Sequence, residues 1–454
     1  MTRIVEKVFQ IFNNWLESKN IRWFNQGSIG RRFASGSFWS FIGVSVSHVF
    51  GLLTTVIIAR ILGQKGYGEF GIIISTLGMF SAVGSIGLGL TATRYIAKFR
   101  KTDPKAAGEI AGFTLILAGV SYGICSMALY VFSPEIATKT LNAPYLTNAL
   151  RLISIALFIS GIDGVQVGIL VGFESFKDIA RISVWRGLVN LPLATFATWH
   201  WGLIGAVCTM VIVSFFTLFV NNNAIRRVTI KERVPVRYSI NKWQASLIWK
   251  FSFPTFFYGI LSVPLTWIVN AILVNQPHGY LEMGLLTAAM QWRNVVNFVP
   301  TILSKMGVAI QSNLIGNQDH KNFHKFFTYN AVIQILGTLL MALLIIIFAP
   351  WIMAAFGKSF ASGYTTLFYL CISWIFMSVS SILWDLMVSL GHTWQGFMFN
   401  FISGIILIFA AWQMINLGAK GVAIAYICYY AVSAVLLILY FICKAKSKGQ
   451  KLSS

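Results

Sequence analysis

The sequence predicts an all-α polytopic membrane protein, with 12 transmembrane helices in two six-helix lobes. Three observations predict it. Twelve apolar stretches, each about long enough to cross a bilayer, run in two sets of six. Lys and Arg crowd onto one side of the connections between them, and two short motifs recur at corresponding places in the two sets.

Composition excludes the soluble classes. With 57% hydrophobic residues and a mean hydropathy of +0.73, a chain of 454 residues is too apolar for a water-soluble fold. A formal net charge of +22 would suit a nucleic-acid partner. The basic residues border apolar spans, however, where they set topology and meet anionic lipid headgroups, so no nucleic-acid partner is expected. Cys125, Cys208, Cys371 and Cys428 fall inside spans and Cys443 just past the last one, with no C-x-x-C, so neither a disulfide framework nor a metal site is expected.

The elements follow in order. Residues 1–36 form a cytoplasmic segment without a cleavable signal; Ile4, Val8, Ile11, Phe12 and Trp15 oppose Arg3, Lys7 and Glu17 as on an amphipathic surface helix. The first lobe, 37–225, carries spans at 38–60, 69–92, 108–132, 149–171, 182–199 and 202–224. A basic cytoplasmic linker, 226–246, separates it from the second lobe, 247–443. There the spans are 247–273, 281–304, 326–348, 364–388, 395–415 and 420–442, before a cytoplasmic tail at 444–454. Of 35 Lys and Arg, 28 lie on one side, six on the other and Arg293 in mid-span, which places both termini in the cytoplasm.

The echoes suggest duplication. Gly66-Tyr67-Gly68-Glu69-Phe70-Gly71 opens the second span, and Gly279-Tyr280-Leu281-Glu282-Met283-Gly284 the eighth. Gly202-Leu203-Ile204-Gly205 opens the sixth, and Gly418-Ala419-Lys420-Gly421 the twelfth. Halves of six spans keep one orientation, so an axis along the membrane normal would relate them, with a binding site between.

Arg293 is the sharpest functional signal, because a guanidinium at mid-span costs roughly 2.5–3.5 kcal/mol on insertion scales. On a helical wheel Thr287, Arg293, Asn294, Asn297, Thr301, Ser304 and Lys305 share one arc, as if lining a water-filled cavity. An arginine locked to a carboxylate is the alternative, but no acidic residue lies on the arc. Ser47 and His48 join the candidate lining from the first span, where small residues at helical spacing fit close packing equally well. Asp163 and Arg186 are read as a buried ion pair, and Pro254 and Pro264 as hinge positions.

The stretch from Gly36 to Ala111 resembles the polysaccharide transporter, or oligosaccharide flippase, family of the multidrug/oligosaccharidyl-lipid/polysaccharide exporter superfamily. The residues carrying the resemblance are Gly36-Ser37, Ala59-Arg60-Ile61-Leu62-Gly63, Tyr67-Gly68-Glu69-Phe70, Gly87-Leu88 and Thr93-Arg94-Tyr95-Ile96-Ala97. The resemblance implies the two-lobed fold of multidrug-and-toxin extruders. It also implies a carrier, not an enzyme, that moves a polyprenyl-pyrophosphate-linked sugar across the inner membrane for surface polysaccharide or lipopolysaccharide synthesis. The implied partners are that substrate, membrane lipids, a polymerase and glycosyltransferases; no cofactor is implied beyond H+ or Na+ as coupling ion. Two alternatives stand beside it: an ion-coupled organic-cation extruder of the same fold, which favours carboxylates in its cavity, and a polysaccharide polymerase or ligase, which needs a larger external loop than any here.

Overall fold

A computed structural model describes residues 28–239, 262–297, 319–390 and 392–450, with positions 300, 304, 307, 310, 311 and 314 between them. Its helices are α1 (Ser28–Ser85), α2 (Leu88–Phe99), α3 (Pro104–Glu135), α4 (Thr147–Gly172), α5 (Phe176–Lys231), α6 (Ser262–Val274), α7 (Gly279–Met290), α8 (Arg293–Val296), α9 (His320–Phe356), α10 (Tyr364–Ser389), α11 (Thr393–Gln413) and α12 (Ala419–Gln450). The expected surface helix at 3–17 lies outside the described residues, as do Pro254, Thr301 and Lys305.

Among the described residues eight helices are long and apolar enough to cross a membrane. Glycine sets where two of them turn. Non-helical backbone at Gly63 (φ 69°, ψ 177°) divides α1, and at Gly202 (φ 55°, ψ −134°) divides α5. Residues with a Cβ avoid both conformations. Gly418 adopts φ 61°, ψ −139°, nearly the angles of Gly202, so the second sequence echo is also a backbone echo. Side-chain oxygens cap two further starts: Asp103 accepts from Ala106 N at 3.0 Å and Asp319 from Asn322 N at 3.2 Å.

Helices of each half pack mainly on one another. Small residues permit the closest crossings, as expected where lipid removes most of the hydrophobic drive for helix association. A Cβ on Gly168 would strike Gly89, and beside that contact Thr93 Oγ1 donates to Gly168 O at 2.9 Å. In the first span Gly43 lies against Ala180, and Asn190 donates to Thr54 Oγ1 at 3.4 Å, so this part of the small-residue stripe packs on α5.

The second and eighth expected spans are not continuous. Ile86 (φ 39°) and Gly87 (φ 67°) break the chain between α1 and α2. A turn at Gln291 and Trp292 separates α7 from α8. Both residues keep right-handed backbone angles, and the hydrogen bonds tighten there, Trp292 N donating to Ala289 O and Val295 N to Trp292 O.

Candidate functional site

The two copies of the first sequence echo meet in space. Gly68 lies against the Tyr280 carbonyl, and Gly284 lies against the Gln64 carbonyl, both too close to admit a Cβ. Each glycine lets the other half's backbone approach, although the two are not equivalent in the motif: Gly68 corresponds to Leu281, and Gly284 to Gly71. Gly71 is filled in the same way by the Thr287 side chain, so Thr287 belongs to this seam.

Hydrogen bonds from both halves reinforce the seam. Arg60 Nε donates to Ala355 O at 2.7 Å, and Gln64 Nε2 to Leu281 O at 3.1 Å. Tyr280 Oη donates to Leu141 O and Asn275 Nδ2 to Thr140 O, each at 2.7 Å. Buried Tyr67 adds ring contacts, with centroids 6.3 Å from Phe356 and 5.9 Å from Phe360. Deeper along the same helices, Trp267 donates to Thr76 Oγ1 and Asn270 to Ser75 Oγ, both at 2.9 Å. Within one short stretch, Arg60 to Gly71, five residues (Arg60, Gln64, Tyr67, Gly68 and Gly71) thus bind or pack against the other half.

The motif glutamates hold neighbouring elements instead of their own helix ends. Glu69 accepts from Tyr145 Oη at 2.8 Å, and Glu282 accepts from Ala419 N, the first residue of α12, at 2.8 Å. The latter carboxylate caps another helix's N-terminus.

Arg293 begins α8, where the helix has just been interrupted. Its side chain keeps exposed surface while protein surrounds it, with Tyr430, Tyr426 and Tyr429 of α12 as its electrostatic neighbours. Asn294 is exposed beside it; half-buried Asn297 approaches Met377 Sδ at 4.0 Å. The tyrosines connect onward: Tyr429 Oη donates to Asn400 Oδ1 at 2.7 Å, and Asn400 Nδ2 to Ser262 Oγ at 3.3 Å. A cationic group is thereby framed by phenol rings and amides from α6, α8, α11 and α12. The sequence pointed to Arg293 but not to the tyrosines, since aromatic residues at helical spacing ordinarily read as core.

Ser47 is exposed and His48 half-buried on the first span, and Pro264 sits in the first turn of α6. Asp163 pairs directly with Asn221, whose Nδ2 donates to Oδ1 at 2.5 Å. Arg186 acts on Asp163 only at longer range, so the expected ion pair is a carboxylate–amide contact with a distant guanidinium. Asn221, on the same face of the bundle, had no charge to draw attention in the sequence. Asp385 of α10 is buried as well.

A family model described as polysaccharide biosynthesis protein matches residues 33–310, more than half of the chain. The chain belongs to that family. It is 21% identical over 380 residues to the EPS I polysaccharide export inner membrane protein EpsE of Ralstonia nicotianae, covering 81% of this chain and 83% of that one. Its fold matches a multidrug resistance MATE family transporter of the MOP superfamily in an inward-facing conformation. That match has a TM-score of 0.74 at 14% identity, over 90% of this chain and 99% of the other. A MOP superfamily transporter from Pyrococcus furiosus, described by the reverse polarity of its binding pocket, matches with a TM-score of 0.63 at 15% identity, over 93% and 96%. At such identities the structural likeness establishes the fold and nothing about cargo.

Proposed function

We propose that this family member is a transporter, not an enzyme, that flips a polyprenyl-pyrophosphate-linked sugar across the inner membrane by alternating access. The halves 37–225 and 247–443 act as its two lobes. Twelve crossings follow if Gly63 and Gly202 each divide a long helix into two, and if α6 and the interrupted α7–α8 segment add one each to the eight long helices. The seam at the echoed motifs is then the outer gate, closed here, while the basic linker end faces the cytoplasm.

Arg293 carries the proposal. A guanidinium deep among membrane helices is costly, and this one has tyrosines and amides around it in place of a carboxylate. Its planar fork suits the oxygens of a pyrophosphate, and Asn294, Asn297, Thr301, Ser47 and His48 would extend the lining. An organic-cation extruder shares the fold but would place this charge against its cargo. The relative's name, polysaccharide export inner membrane protein, supports the anionic lipid-linked class.

The test is turnover of a labelled lipid-linked sugar in proteoliposomes. Arg293→Ala should reduce it at least a hundredfold while the protein still inserts; normal turnover in Arg293→Ala would refute the assignment.

A further inference from the structure

Helix α5 ends in a Schellman motif. Val234 N donates to Thr229 O at 2.8 Å and Arg233 N to Ile230 O at 3.2 Å, with Val234 buried against the helix. The residue that turns the chain in this motif must be left-handed, and Arg233 has φ 55°. Glycine is the usual occupant because a Cβ is strained there. Glycines take several positive-φ turns elsewhere in this fold, but so do Ile86, Asn142, His278 and Glu174, the last in the same motif at the end of α4 (Ser175 N to Leu170 O and Glu174 N to Val171 O). Arg233, like these, carries a backbone cost that glycine would not.

Its side chain supplies a reason. Beyond Arg233 the chain lies extended across α3, where Arg237 N donates to Gly108 O at 3.3 Å. Gly108 and Gly112 leave no room for a Cβ beneath the Pro235 and Arg237 carbonyls. This strap, α3 and the last turns of α5 enclose a groove of about 640 Å³. Arg226, Arg233, Asn222 and Thr229 give it a polar side, and Ala111, Leu115, Ile225 and Val236 an apolar one; no carboxylate is among the lining residues. Both arginines are exposed, and Lys231 already supplies a cation in the last turn of the helix. On the rim, Ile230 and Tyr238 are 68% and 67% exposed, as befits residues that meet lipid.

We propose that this groove binds an anionic phospholipid, its phosphodiester held by Arg226 and Arg233 and an acyl chain lying on the apolar wall. Free phosphate would engage the guanidiniums but leave that wall and the exposed rim uncovered. A bound lipid would join α3, α5 and the strap, fixing the start of the linker between the two halves. The proposal is independent of the cargo.

The full-length protein in detergent serves for the test, with phosphatidylglycerol, phosphatidylcholine of the same chains and inorganic phosphate as probes. Phosphatidylglycerol should bind and raise the thermal midpoint, and the other two should not. Arg226→Gln with Arg233→Gln should weaken phosphatidylglycerol binding at least tenfold. Arg233→Gly is the sharper variant: relief of backbone strain should leave its lipid-free midpoint at or above wild type, while phosphatidylglycerol affinity falls severalfold. Wild-type affinity in Arg233→Gly, or equal effects of the three probes, overturns the proposal.

Discussion

Arg60 Nε donates to the carbonyl of Ala355, a residue 295 positions away in the other half. Ala355 is the penultimate residue of α9, where carbonyls lack an intrahelical partner and the helix dipole is negative. Arg60 thus caps a helix C-terminus across the seam, and the arginine of the A-R-x-L-G pattern acquires a physical role. A charge-assisted bond of this kind, partly exposed, is worth about 1 kcal/mol. Arg60→Gln should shift the closed seam toward opening about fivefold. With cysteines at Gln64 and Leu281 in a background lacking the native ones, disulfide yield reads the closed state. A yield unchanged by Arg60→Gln would show that the contact is incidental.

The glycine pair makes a stronger prediction. A methyl on Gly68 collides with the Tyr280 carbonyl and one on Gly284 with the Gln64 carbonyl, backbone atoms that cannot swing aside. Overpacking costs about 1–3 kcal/mol for each, enough to disfavour closure by tenfold or more. Gly68→Ala should lower transport by at least tenfold and abolish the same disulfide, with membrane insertion normal. Transport at the wild-type rate in Gly68→Ala would mean that the seam does not have to close.

These residues show what could be read from the sequence. Span order and the echoes were visible because hydropathy and glycine-bearing motifs are local properties, and both copies of the first echo do lie on the seam. Interruptions were not: nothing in residues 281–304 announces the turn at Gln291–Trp292 between α7 and α8. Asn270, whose amide could equally have faced water, bonds Ser75 across the seam. An amide can serve either purpose, and only the partner decides. Tyr426, Tyr429 and Tyr430 became visible only when α12 was placed beside Arg293.

Charge alone should not satisfy the Arg293 recess. Lysine keeps the charge but presents a point donor on a flexible stem, without the fork that two phosphate oxygens can share. Arg293→Lys should retain about a tenth of turnover, between wild type and Arg293→Ala. Full activity in the lysine variant would indicate a purely electrostatic role, and none at all a structural one.

At the opposite end from the seam, Lys444 Nζ of α12 lies 2.6 Å from His392 Nε2, in the connection before α11, and both groups adjoin Tyr440. Partial burial, aided by the Lys444 charge, lowers the His392 pKa below its ordinary value of 6.5. The imidazole is thus neutral in the folded protein and can accept from the ammonium. The sign follows from proton binding: as pH falls through about 6.5, the unfolded chain takes up a proton that the folded chain refuses. The contribution is present above that range and is lost between it and the lowered folded pKa. Thermal midpoints of the purified protein should therefore decline between pH 7.5 and 5.5 more steeply for wild type than for Lys444→Gln, in which His392 titrates nearer its ordinary value. His392→Asn should flatten the same interval further, since no group at that position then titrates. Equal slopes in all three proteins would show that the Lys444–His392 contact does not tie α12 to the α10–α11 connection.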